Sequence, residues 1–245
     1  MKWRQNYQIQ YHDIDMSGTV TPSNVLKYMQ ETANRQMATQ GPSYDQLIAE
    51  GKSFVICRLR IDYRAPLHAY ETIEGQSWPY ENKNASFYRQ YAIVRNGETV
   101  AIADSIFALV DVSSGRLLRA DEVTLNYSMD EHIPMERPLR FRIPSDLTLS
   151  EVGRHRVLYR DCDCNIHMNN TKYPDILCGF IPGIEKKTVL SVGINFQYAA
   201  PYGENITVLC AERDGTFYFR TLREDGKVNV EAEILTEEKT DTSGG

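Results

Sequence analysis

From Pro22 to Gln40 the chain places Val25, Leu26, Met29, Ala33 and Met37 three or four positions apart, with polar residues between them. That spacing lays one apolar stripe along an α-helix. Pro22 and Ser23 suit its start and Gly41-Pro42 its stop. Downstream the helical period disappears. "FVICRLRIDYRA", "ETIEGQSWPY", "ASFYRQYAIV" and "TVAIADSIFALVDV" are β-rich runs broken by Gly, Pro or Asn, which predicts four antiparallel strands. A second set, "TVLSVGINFQYA", "NITVLCAER", "TFYFRTLR" and "VNVEAEIL", predicts four more, with "RDGT" and "EDGK" as tight hairpin turns.

The two sets belong to a pattern written twice. "YHDIDMSGTVTPSNVLKYMQETA" begins at Tyr11 and "YRDCDCNIHMNNTKYPDILCGF" at Tyr159, each reading Tyr-x-Asp-x-Asp, a polar loop, then a helix-compatible segment. Asp13 matches Asp161 and Asp15 matches Asp163 at an offset of 148. Further on, "LRIDYRAPLHAYETI" resembles "VGINFQYAAPYGENI" at an offset of 133, so the second copy is 15 residues shorter between loop and strand. The deletion falls in the helix region. Each unit therefore reads as strand, loop, central helix and four strands, an α+β fold in which a long antiparallel sheet wraps one helix and buries its apolar stripe. The expected units are 1–112 and 151–236, joined by a proline-bearing linker at 113–150. A disordered tail is expected over 237–245, where "TEEKTDTSGG" offers almost nothing apolar.

Composition narrows the functional classes. Hydrophobic residues make up 42% and charged residues 24%, ordinary for a soluble domain. No run approaches a membrane span and the N-terminus has no secretory apolar segment. Five scattered cysteines read as reduced thiols in a cytosolic protein, and a net charge of −6 argues against nucleic-acid binding.

The densest chemistry is "DCDCNIHMNN", residues 161–170. Cys162, Cys164 and His167 lack metal-site spacing and a second ligand pair, so no metal is expected. Cys-x-Cys is not the usual redox pair, although either cysteine could be a nucleophile. Asp163, Asn165 and Asn169 suit side-chain turns and helix capping, but capping does not account for His167. In the first copy Asn165 falls opposite Ser17 and His167 opposite Thr19. Only the second unit thus carries Asp-x-Asn-x-His, as expected of a pseudo-dimer with one working site. A carboxylate can orient an imidazole, the imidazole can take a proton from water, and an amide can hold the water or an oxyanion. The backbone N–H groups after Asn169 and Asn170 could polarise a carbonyl. No G-x-S-x-G elbow is present.

"RDCDCNIHMNNTKY" resembles the D-x-D-x-N-x-H-x-N-N-x-K-Y pattern of the acyl-acyl-carrier-protein thioesterases, a double-hotdog family. The likeness runs from about Tyr7 to about Leu235 and includes "LSVGINFQY". The resemblance implies a tandem double hotdog that releases fatty acid from acyl carrier protein, without a cofactor. It assigns Asp163, Asn165 and His167 as the catalytic set. It places the acyl chain in the first unit, across 23–64, where Met29, Ala33 and Met37 are candidate lining residues; from periodicity alone the methionines read as core. Where the family usually carries a Glu, this chain has Ala199, leaving Glu204 or Glu185 as replacements. The early start of the pattern implies a bacterial cytoplasmic enzyme rather than a plastid one. Arg154, Arg156 and Lys172 form a local basic group suited to an acidic partner. Two hotdogs in one chain make a monomer sufficient, with a homodimer open. A hotdog hydratase, whose loop carries a proline and different spacing, and a non-catalytic acyl-binding protein are the rival classes.

Overall fold

The computed structural model describes residues 1–239, which divide into two compact units, one over 1–140 and one from 141 onward. In the first, β1 (Trp3–Gln8), β2 (Lys52–Tyr63), β3 (Thr72–Lys83), β4 (Ser86–Arg95) and β5 (Glu98–Asp111) form an antiparallel sheet in the order β1-β3-β4-β5-β2. The helix α1 spans Pro22–Gln40 as the stripe predicts. Thr21 caps it by accepting the Asn24 N–H, and Gly41, at φ 73°, ends it. A short α2 (Tyr44–Ala49) follows.

The face of α1 that meets the sheet is partly polar. Val25, Leu26 and Met29 are buried, but so are Thr32 and Gln36. Buried Arg89 on β4 donates to Gln36 Oε1 and Ser77 Oγ, both at 2.7 Å, which ties helix to sheet. Tyr7 Oη and Thr32 Oγ1 lie 3.1 Å apart. The approach is close enough that β3 carries Gly75 beneath Thr32.

The second unit holds β7 (Ser150–Arg156), β8 (Lys187–Phe196), β9 (Asn205–Arg213), β10 (Thr216–Leu222) and β11 (Val228–Glu238), ordered β8-β11-β10-β9-β7. Val192, Ile194, Ile206, Val208, Phe219, Val230 and Ile234 have no exposed surface. Its helix is far shorter than that of the first unit. A 3-10 turn at Asn170–Lys172 leads into α3 (Tyr173–Cys178), six residues against nineteen in α1. The missing helical length is what the 15-residue deletion removes. At "RDGT", Asp214 and Gly215 both have positive φ, the requirement of a twisted two-residue hairpin.

Two expected boundaries move. The linker expected at 113–150 is, over its first three-quarters, part of the first unit. β6 (Leu117–Leu118) pairs with β5. Trp78 Nε1 donates to the Glu131 carbonyl at 2.9 Å, and the Gln90 amide exchanges hydrogen bonds with both main-chain polar groups of Ile133 at 2.8 and 2.7 Å. Side-chain hydrogen bonds of this kind leave no periodicity to read. The expected tail begins late as well: Glu237 and Glu238 pair in β11 against Thr188 and Lys187. Residues 240–245 lie outside the described residues.

Gly75→Ala should destabilise the chain by about 1–3 kcal/mol, because the new methyl group meets Thr32 Oγ1 and sits 3.0 Å from Tyr7 Cε2. Urea unfolding measures the loss. Adding Thr32→Ala should recover part of it, and no recovery would show that the contact does not limit the packing.

Candidate functional site

The two polar loops share one hydrogen-bond plan. Asp161 N–H binds the Leu158 carbonyl and Asp13 N–H the Gln10 carbonyl, closing a 3-10 turn in each unit. The aspartate carboxylate then accepts the N–H three residues back, Leu158 at 3.0 Å and Gln10 at 2.9 Å. Its carbonyl accepts the N–H eight residues on, Asn169 at 2.8 Å and Thr21 at 3.1 Å. Within the loop, Asp163 N–H donates to the His167 carbonyl at 3.0 Å and Asp15 N–H to the Thr19 carbonyl at 2.9 Å. Even the anchor to the following segment repeats: Met168 N–H to the Ala200 carbonyl, Val20 N–H to the Leu67 carbonyl, both 2.8 Å. Offsets of 148 and 133 thus carry through to individual hydrogen bonds.

The side chains diverge. In the first unit Ser17 donates its N–H (2.8 Å) and hydroxyl (2.6 Å) to Asp15 Oδ1, and Ser17 Oγ lies 2.8 Å from Thr19 Oγ1. In the second unit Asp163 Oδ1 accepts only the Asn165 main-chain N–H, at 2.9 Å. Asp163 Oδ2 and the His167 ring have no hydrogen-bond partner among the described residues. Asn165 and His167 are exposed and Asp163 is half-buried. Asp163, Asn165 and His167 therefore share one tight turn, but the carboxylate does not touch the imidazole.

Other expected site residues fall as follows. Asn169 caps the helical turn, its Oδ1 accepting the Thr171 N–H at 2.9 Å and the Thr171 hydroxyl at 2.8 Å. Asn170 opens that turn, half-buried. Met29 and Ala33 are buried on α1 and Met37 is half-buried. Arg154 and Arg156 stand exposed on β7, Arg154 in an ion pair with Glu151 at 3.0 Å, and Lys172 is half-buried. Ala199 is exposed. Glu204 is engaged by Arg223 Nε at 3.0 Å and the Glu224 N–H at 3.1 Å, while Glu185 is exposed. Desolvation, with Asp161 and Asp163 adding to it, pushes the Cys162 thiol up, which disfavours the thiolate that a nucleophile needs. Among the described residues no three His, Cys, Asp or Glu side chains cluster to hold a metal ion.

One pair escapes a reading of the loop alone. His155 Nε2 on β7 lies 3.0 Å from Asp161 Oδ2, with side-chain exposures of 19% and 7%. The signal available was position: His155 stands opposite Tyr7 at the same 148 offset, an imidazole at an inward place in a strand flanked by outward arginines.

The acyl-ACP thioesterase N-terminal domain model matches residues 1–127, and the C-terminal domain model matches residues 145–241. The chain belongs to the acyl-ACP thioesterase family. A curated relative from Cuphea viscosissima, acyl-[acyl-carrier-protein] hydrolase FATB3, chloroplastic, is 23% identical over 212 residues, 81% of this chain and 51% of the relative. A palmitoyl-acyl carrier protein thioesterase, chloroplastic, of Cuphea hookeriana is 21% identical, covering 70% of this chain and 45% of its own length. This member of the family thus spans about half the length of the curated relatives it matches. The acyl-ACP thioesterase structure from Bacteroides thetaiotaomicron superposes with a TM-score of 0.87 at 18% identity, covering 96% and 98% of the two chains. The 12:0-ACP thioesterase of Umbellularia californica gives 0.79 at 16% identity, with 97% and 98% covered. Both units are therefore hotdogs, in a tandem α+β fold.

The tip of the second loop carries local strain. Where the first loop has Gly18 (φ 75°), the second has Ile166 at φ 62°, a β-branched side chain that is 67% exposed. Ile166→Gly should raise stability by about 1 kcal/mol, the relief of left-handed strain exceeding the extra chain entropy of glycine. Urea denaturation checks this, and a neutral or destabilising result would show that the turn holds Ile166 without strain.

Proposed function

We propose that this chain is a thioesterase that hydrolyses fatty acyl-acyl carrier protein, with Asp163, Asn165 and His167 as its working groups. The observation that carries the reading is the contrast between two loops built on one hydrogen-bond plan. The first closes its polar side chains on one another, and the second leaves a carboxylate oxygen and an imidazole uncommitted at the surface.

In the proposed reaction His167 accepts a proton from water as the water oxygen attacks the thioester carbonyl. Asn165 and the Asn170 N–H are assigned to the developing oxyanion, since the Thr171 and Lys172 N–H groups are already taken by Asn169. Collapse of the tetrahedral intermediate breaks the carbon–sulfur bond, and His167 returns the proton to the leaving thiolate. Asp163 Oδ2 orients the water or the imidazolium, a contact that forms when substrate closes the site. Ala199 supplies no second acid and Glu204 is already held by Arg223, so the acidic role is assigned to Asp163, with Glu185 as the remaining alternative. The acyl chain is assigned to the first unit along Met29, Ala33 and Met37. Acyl carrier protein docks through Arg154, Arg156 and Lys172, and a monomer suffices. No helix among the described residues is long and apolar enough to cross a membrane.

Hydrolysis of acyl-acyl carrier protein by His167→Ala should fall about 100-fold or more, the scale of a lost general base. Ser17→Ala and Thr19→Ala should stay near wild type. Wild-type turnover by the His167 variant, or collapse in either first-unit variant, places the chemistry elsewhere. If the wild-type chain binds acyl thioesters without cleaving them, the non-catalytic reading replaces this one.

Reversing charge on β7 should raise KM for acyl carrier protein substrates more than for acyl-CoA, most at low salt. Arg156→Glu should do more than Arg154→Glu, because Glu151 already pairs with Arg154. Equal KM changes for both substrates would mark β7 as a solvated face.

A further inference from the structure

The carboxylate at the base of each loop has a second donor, and the two units supply it differently. Asp13 Oδ2 accepts the Tyr28 hydroxyl of α1 at 2.6 Å. The residue opposite Tyr28 is Ile176, on the shortened α3, which has no donor to offer. Asp161 Oδ2 instead meets His155 Nε2 of β7 at 3.0 Å. An ionised carboxylate only accepts hydrogen bonds, so the imidazole proton of this pair sits on Nε2.

Asp161 fixes both ends of its loop. Its carboxylate holds the Leu158 N–H before the loop and its carbonyl the Asn169 N–H after it. Between these two points hang Asp163, Asn165 and His167. With the imidazole removed, this 7%-exposed carboxylate keeps only the Leu158 N–H among the described residues, an under-compensated buried charge that favours a shift of the main chain around it. A displacement of about 1 Å in a catalytic group is enough to cost on the order of 100-fold in rate.

We propose that His155 is a positioning residue: through Asp161 it sets where the Asp163–His167 turn stands, without touching substrate. The inference rests on the thioesterase reading above and adds a residue that the loop motif does not contain.

The test compares His155→Gln with His155→Phe in the full chain on an acyl-acyl carrier protein substrate, alongside wild type. Gln puts an amide N–H where Nε2 was; Phe keeps the ring and removes the donor. His155→Phe should lose about tenfold to 100-fold in kcat with KM within about threefold, and His155→Gln should recover most of the loss. If His155→Phe does not fold, His155→Asn takes its place, since its shorter amide cannot reach Asp161, with the same kcat loss expected. Equal kcat in the Gln and donor-less variants, or a change in KM alone, overturns the positioning role while leaving the thioesterase reading intact. A wild-type chain that does not hydrolyse the substrate overturns the reading and this role with it.

Discussion

Everything proposed for this protein hangs on a carboxylate that does structural work. Asp13 and Asp161 each close a 3-10 turn, accept an N–H three residues back and hold the chain eight residues on. With the base of the loop fixed this way, its tip can vary. The first loop turns its polar groups inward upon themselves, and the second leaves Asp163 Oδ2 and the His167 ring without a partner among the described residues. One backbone design therefore gives a closed turn in one unit and a reactive one in the other. The price is a carboxylate drawn out of solvent, half-buried at Asp13 and buried at Asp161, and met by Tyr28 in one case and His155 in the other.

Much of this was legible in the sequence because it is local or periodic. The stripe from Val25 to Met37, the strand runs and the Asp-Gly hairpins all state their structure within a few residues. The repeat was legible because its offset persists, and the structure extends it to hydrogen bonds such as Met168 to Ala200 and Val20 to Leu67. What could not be read depends on distant partners. The attachment of residues 127–133 to the first sheet runs through Trp78 and Gln90, some forty to fifty positions away. The expected contact between Asp163 and His167 is absent for a plainer reason. Asp163 Oδ1 takes the nearer Asn165 N–H, an Asx turn that fixes the carboxylate's direction so that its second oxygen does not reach the exposed His167 ring. His155 precedes the motif and sits in a strand, so no local pattern marks it.

The unequal helices explain much of the asymmetry between the units. The nineteen residues of α1 supply Thr32, Gln36 and Tyr28 as internal ties, and the buried Arg89 joins that helix to β3 and β4. The six residues of α3 reach less far. Tyr173 donates nothing to the loop and instead takes the Asn229 amide at 2.9 Å and packs edge-on against Phe196. The second unit therefore recruits its strand where the first uses its helix, and the loop that gains open chemistry is also the one tied to β7.

Within its sheet β7 has one neighbour, β9, and most of its side chains are exposed. A strand with one open side is a template on which another chain can add itself. Arg154 and Arg156 along it, and the register shift between Glu151 and Gly153, are devices that blunt such a template. The arginines assigned to docking thus carry a second duty in colloidal behaviour. Replacing them with small apolar residues to retune partner choice would expose the protein to edge-to-edge self-association, whereas exchanging them for lysine or glutamate would keep that guard in place.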